Sequence, residues 1–386
     1  ILKRLEQKGN TYPMLYYTLG YYAEKQNNKQ EALSYYKKAE SMPSDYCYPF
    51  RWEEIPILES AMRMNADDAK AAYYLGNLYF EYQPQKAIAL WEESLKKDSE
   101  FYIAWRNLAL AYQKYGKDDA KALVYMKNAF ERNKKDARLL FELDELNDAN
   151  KLCTKEKYEL LKKNFSVGKQ RPETVLRMAT RAMENGNYKE ALKIMDENFI
   201  IESEGAREQQ DNYLNSYLIL AMQCSAKGRY KEANSYLDKA LNYPIGLYGR
   251  SVYAKIYYIA GSVYEQQRLM DKAKVMYDKV MDVNVEKDTE AIYYKAMALQ
   301  KQGEEVNANT LLNDILKNLD KETNSFFSQF GESNVKVDKR KSARLYYEGL
   351  AYEGLGKKDM AIRKYKEALL MNPANVWSKV HLNFMD

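Results

Sequence analysis

The sequence predicts an all-α fold: a right-handed α–α solenoid of about nine stacked helix pairs with a C-terminal capping helix. Three observations predict it. Small residues recur twelve positions apart, at Gly20/Ala32, Ala179/Ala191, Ala221/Ala233, Gly261/Ala273, Ala296/Ala308 and Gly349/Ala361. Another alanine often follows seven residues later, at Ala39, Ala240 and Ala368. Aromatic and large apolar residues fill the helical positions between them, and 16 Gly with 8 Pro are too few turn formers for a β-sandwich.

The first copy runs from Tyr16 to Pro43, and Glu53–Met64 reads as an additional helix after the loop "PSDYCYPFRW". The copy "YYLGNLYFEYQPQKAIALWEESL" is one residue shorter between Gly76 and Ala87. The copy "WRNLALAYQKYGKDDAKALVYMKNAF" is one longer between Ala109 and Ala122. The 69-residue interval from Ala122 to Ala191 leaves room for a ninth, degenerate copy around Leu139–Phe165. Further copies follow at Val175–Asn198, Tyr217–Pro244, Tyr257–Val280 and Ile292–Ile315, so that residues 1–170 and 171–386 read as two parts of one continuous solenoid. Longer linkers are expected at 196–213, 243–251 and 318–341.

The last copy, "LYYEGLAYEGLGKKDMAIRKYKEALLMNP", is the clearest. Leu345, Gly349 and Tyr352 fall at three- and four-residue steps and give its first helix one apolar stripe. Gly356 makes the turn; Ala361, Tyr365 and Ala368 face back from the second helix, and Pro373 stops it. Gly349 and Ala361 let the two helices approach where a Leu would hold them apart. The segment "NVWSKVHLNFM" then reads as the capping helix.

This pattern resembles the tetratricopeptide repeat (TPR), whose unit carries large–Leu–Gly–Tyr in its first helix and Ala–Phe–Ala–Pro around its second. A closer resemblance covers most of residues 1–190, in "YYTLGYYAEK", "SDYCYPFRWEEIPILESA", "FYIAWRNLALAY" and "DARLLFELDEL". These stretches are similar to a bacterial family in which a TPR array follows an N-terminal domain of unknown function related to galactose-mutarotase-like β-sandwiches. The linker that reads Phe-His-Pro-Trp-Glu and Gly-Glu-Gly in relatives is "FIIESEGA" here, without His, Pro or Trp. The resemblance implies that the chain is the C-terminal array of a longer protein. The start at Ile1, without Met and directly into a helical pattern, reads the same way, with any targeting signal removed.

Composition argues against several function classes. With 60 basic and 55 acidic residues the net charge is +5, and the basic runs Lys162–Lys163 and Lys336–Arg344 are short, so no nucleic-acid partner is expected. No apolar run approaches the ~20 residues of a membrane span. Cys47, Cys153 and Cys224 form neither a disulfide framework nor a zinc pattern and lean toward a reducing, cytoplasmic compartment. His381 is the only histidine, and no phosphate-binding glycine loop is present, so no metal, cofactor or catalytic residue is expected. Cys224 sits at a core position of its helix. The chain is expected not to be an enzyme.

A binding surface is expected instead. In TPR superhelices, inward positions of each first helix line a concave groove. The resemblance carries one such position onto Tyr17, Tyr73, Arg106, Tyr258, Tyr293 and Tyr346. Tyrosine offers wide apolar contact and a hydroxyl at modest entropy cost. A groove so lined suits a protein or peptide segment, a glycan, or the protein's own preceding N-terminal domain. A second expectation is an accessory role in a carbohydrate-active enzyme, with sugar bound through that domain. Asn77, Asn107 and Arg138 match three of five residues with which some TPR domains clamp a C-terminal carboxylate. Tyr73 and Glu142 replace the other two, and Glu142 would repel the carboxylate, which argues against that clamp.

Overall fold

Helices supply the regular structure in a computed structural model that describes residues 2–198, 200, 207–245, 250–285, 288–319 and 334–385; no strand occurs among them. The chain divides into two units, Ile1–Asn150 and Lys151–Asp386. In the first, α1 (Leu2–Gln7) precedes the pair α2 (Pro13–Lys25) and α3 (Lys29–Ser41). The expected extra helix is α4 (Glu54–Met64), which packs on both α2 and α5 (Ala69–Tyr79). Then follow α6 (Pro84–Lys97), α7 (Tyr102–Ala111), α8 (Asp119–Arg132) and α9 (Ala137–Ala149).

The second unit begins with α10 (Thr154–Lys163) and the single turn α11 (Phe165–Gly168). Five helix pairs follow: α12 (Pro172–Glu184) with α13 (Tyr188–Glu197), α14 (Glu208–Ala226) with α15 (Tyr230–Leu241), α16 (Val252–Gln266) with α17 (Met270–Met281), α18 (Thr289–Lys301) with α19 (Glu305–Leu319), and α20 (Asn334–Gly354) with α21 (Lys358–Met371). The last helix is α22 (Val376–Met385). Each first helix packs on its own second helix and on the first helix of the next pair, from α12 through α14, α16 and α18 to α20. That nearest-neighbour pattern is the predicted solenoid architecture.

The reason for the small residues is visible at three glycines. A Cβ on Gly20, Gly261 or Gly349 would stand 2.6, 2.5 and 2.5 Å from a ring carbon of Tyr36, Tyr277 and Tyr365. Each ring lies across its glycine, and its hydroxyl donates to a glutamate one helical turn beyond that glycine. The distances are 3.3 Å for Tyr36 to Glu24, 2.7 Å for Tyr277 to Glu265 and 2.5 Å for Tyr365 to Glu353. The close approach is thus filled by a ring and latched by a hydrogen bond to a carboxylate, which is stronger than a neutral one.

The two irregular copies keep the contact by different means. In the shorter one Trp91 replaces the tyrosine over Gly76, and its Nε1 donates to the Tyr73 carbonyl and to Asn77 Oδ1, both at 3.1 Å. In the longer one the extra residue is absorbed by a π turn over Tyr112–Gly116. There Asp118 N bonds to the Tyr112 carbonyl at 3.1 Å, and Lys117 takes a left-handed φ of 48°. The predicted turn glycine Gly356 has φ 72°, a conformation glycine adopts without Cβ strain.

Parts of the expected linkers are helical: Glu208–Tyr213 belongs to α14, where Glu208 and Asp211 complement the positive end of the helix dipole, and residues from Asn334 onward belong to α20. Much of the remainder, including most of "FIIESEGA", lies outside the described residues.

Candidate functional site

Within Ile1–Asn150 the expected groove residues are engaged in packing. Tyr17 is fully buried in α2, and its hydroxyl donates to both carboxylate oxygens of Asp68 at 3.0 Å. Asp68 in turn caps α5 by accepting from Ala71 N at 2.8 Å. Burial pushes the Asp68 carboxyl up to about 6 against the lowering effect of these bonds. Tyr73 is also buried, edge-on to Phe101 with ring centres 5.0 Å apart. Neither tyrosine presents a surface to a partner here.

Arg106 grips Glu142 with both ends of its guanidinium, Nε to Oε2 at 2.6 Å and Nη2 to Oε1 at 2.5 Å. Arg138 Nε reaches the same carboxylate at 3.0 Å, while Asn107 Nδ2 donates to Asn77 Oδ1 at 3.0 Å. The residues weighed for a carboxylate clamp therefore bond to one another. A cluster of exposed aromatic residues in this unit lies on the connection before α4, where Tyr46, Tyr48, Phe50 and Trp52 stand out. Trp52 packs against exposed Tyr82 at 5.2 Å. The sequence reading assigned this cluster no role, because a loop has no periodicity to mark its outward face.

Within Lys151–Asp386 the structure brings the other three candidates toward one place. Tyr293 and Tyr346 are buried and Tyr258 is partly buried. Tyr258 lies 5.5 Å from Tyr294, which meets Tyr293 edge-on at 5.1 Å. Tyr346 donates its hydroxyl to Glu290 Oε1 at 2.7 Å. Burial, then the nearby carboxylates Glu353 and Glu290 respectively, hold the Tyr293 and Tyr346 phenols well above the ordinary tyrosine value.

What covers these rings is α22. His381 lies 6.3 Å from Tyr293 and 5.9 Å from Tyr346, and stacks on Tyr365 at 5.2 Å and 28°. Its Nδ1 is 2.8 Å from Glu353 Oε2. Burial of Glu353 opposes its charge, but His381 and hydrogen bonds from His381, Tyr365 and Tyr293 outweigh it and hold the carboxyl below its usual range.

Trp377, one turn earlier on α22, donates its Nε1 to Asn215 Oδ1 of α14 at 2.9 Å. Its ring covers Lys255 of α16, whose Nζ is 3.6 Å from the ring centre and 2.7 Å from Glu290 Oε1. Lys379 donates to the carbonyl of Glu184, the last residue of α12, at 2.9 Å. The expected capping helix thus does more than cover α21: it touches side chains or backbone of the first helix of all five pairs. The sequence signal was the Trp377, Lys379 and His381 spacing, readable only once the groove is known. Among the described residues no three metal-ligating side chains gather, and no helix is long and apolar enough to cross a membrane.

Models of the tetratricopeptide repeat match residues 15–46, 254–284 and 342–375, and the chain carries TPR repeats there. Solved structures similar to it include YrrB, described as a TPR protein with an unusual peptide-binding site (17% identity, TM-score 0.36, 48% of this chain and 91% of that one). The C-terminal part of a TPR repeat-containing protein from Cytophaga hutchinsonii is 15% identical at TM-score 0.41, over 72% of this chain and 98% of its own. Pseudomonas aeruginosa pilF is 18% identical at TM-score 0.31, over 60% and 92%.

Proposed function

We propose that this TPR array is a non-catalytic protein-interaction scaffold that receives a segment of a partner protein on the face lined by Tyr258, Tyr293 and Tyr346. One observation carries the reading: a helix, α22, already lies on that face and engages all five helix pairs. A surface that holds one helix by specific hydrogen bonds and ring contacts is chemically suited to hold another. The rings are held by the packing of the pairs themselves, so little ordering entropy opposes binding.

The test is affinity capture from lysate of the source cells with the immobilised chain, compared with the Tyr258→Ala/Tyr293→Ala variant. Circular dichroism establishes that the variant is folded, and Tyr258→Ala alone replaces the double variant if it is not. A protein retained by the wild type and lost by the variant supports the reading. Identical captured sets, or none on the wild type, contradict it.

A further inference from the structure

We propose that α22 is an exchangeable resident of this groove, and that the external partner is a donor-rich, basic helix presenting an aromatic residue, a lysine and a histidine as Trp377, Lys379 and His381 do. The inference rests on the scaffold reading and adds what the groove recognises and how access to it is limited.

Several bonds that shape the groove are made without α22. Lys255 is fixed by Glu290 on α18, Glu353 is held by the Tyr365 hydroxyl, and Tyr346 is held by Glu290; none of these bonds involves α22. Nor does α22 meet the groove as the paired helices meet each other. The α16–α17 and α20–α21 pairs meet through a glycine under a ring, a close contact that a single added Cβ would break. The α22 contacts combine ring and apolar packing with polar bonds: indole N–H to amide oxygen, ammonium to helix-end carbonyl, imidazole to carboxylate. That mixture of hydrogen bonds around an aromatic anchor is the make-up of a protein–protein interface.

The chemistry of the seat dictates the partner. Asn215 Oδ1, the Glu184 carbonyl and the Glu353 carboxylate are all acceptors. The Glu184 carbonyl also ends α12, where the helix dipole and the Glu184 carboxylate draw a cation while burial and the Lys157 charge oppose it. A competing segment must therefore bring donors and positive charge at the same spacing, around one aromatic ring that lies over Lys255. An acidic segment would set a carboxylate against Glu353 in place of the His381 imidazole.

Access is limited by the tether. Only Asn372–Asn375 join α21 to α22, so the resident's local concentration is on the order of millimolar. An outside helix of equal intrinsic affinity gains the groove only when it is abundant or carries a further contact.

The experiment uses the full-length chain and a fluorescent synthetic peptide with the sequence of residues 372–386. The Trp377→Ala/Lys379→Ala chain, whose resident is weakened, is expected to bind the peptide at least tenfold more tightly than the wild type. The same peptide with its own tryptophan replaced by alanine is expected to bind neither. Equal affinity for both chains, or binding to neither, overturns the proposal. Should the variant not fold, a protease site placed between Asn372 and Asn375 of the wild-type chain is cut after folding. Exchange of the cut segment for labelled peptide supports the proposal; unfolding on cutting, or no exchange, overturns it. Failure of exchange alongside Tyr258-dependent capture would leave the scaffold reading standing. Exchange without capture would do the reverse.

Discussion

Tyr365 lies flat across Gly349, with its ring 2.5 Å from where a Cβ would stand and its hydroxyl 2.5 Å from Glu353. Because the ring is fully buried, it cannot swing aside. Gly349→Ala is expected to lower stability by about 1–3 kcal/mol, the usual penalty of overpacking, despite alanine's helix preference of about 1 kcal/mol. A urea melt reads the loss. An unchanged or raised midpoint would mean the helices separate freely at this crossing.

Asp68 makes stability depend on pH in an unusual direction. Its folded value of about 6 lies above the ordinary aspartate value of about 3.9, so between these pH values the folded state binds more protons than the unfolded one. Stability attributable to Asp68 therefore falls as pH rises through that window. Asp68→Asn keeps the cap and an acceptor for Tyr17 but carries no charge. Its stability relative to wild type is expected to improve by about 1–3 kcal/mol from pH 4 to pH 7. The same difference at both pH values would contradict the assignment.

Buried tyrosines set the alkaline limit. Burial pushes Tyr36 and Tyr217 up to about 12, and Tyr293 and Tyr346 well above the ordinary value of about 10. Their contribution is fully present below that ordinary value and is lost as pH rises toward the folded values. Tyrosinate absorbance is expected to show a late, cooperative step coincident with loss of helical circular dichroism. Gradual ionisation of all tyrosines around pH 10 with helix intact would contradict this.

Arg106 and Arg138 share Glu142 unequally. Arg106 is largely buried and bidentate, whereas Arg138 is mostly exposed. Arg106→Ala is expected to cost about 2–4 kcal/mol because it strips a largely buried carboxylate of its main partner. Arg138→Ala should cost no more than about 0.5 kcal/mol. Equal costs in thermal or urea melts would refute the ranking.

The helix pairs were legible because a close crossing demands a small residue at a fixed spacing, and the chain repeats that demand. Even the two irregular copies were visible as one-residue changes of spacing, though only the structure shows a π turn absorbing one and Trp91 filling the other. The glutamates that latch Tyr36, Tyr277 and Tyr365 were not, since a carboxylate on a helix full of lysines reads as a solvated face. The proposed site shows in the sequence as a column of tyrosines, but its surroundings do not. Burial of Tyr17 and Tyr73, and the cover that α22 lays over Tyr293 and Tyr346, arise from contacts between residues far apart in the chain. Trp377 and Asn215 are separated by 162 positions, and no local pattern encodes their meeting.

The most direct measurement is hydrogen–deuterium exchange over residues 376–385 in the wild-type chain and in Trp377→Ala. A helix seated on the tyrosine face predicts slow exchange in the wild type, and faster exchange in the variant confined to α22 while α16 and α18 stay protected. Exchange of 376–385 at the rate of an unstructured peptide in the wild type would contradict a helix-receiving groove.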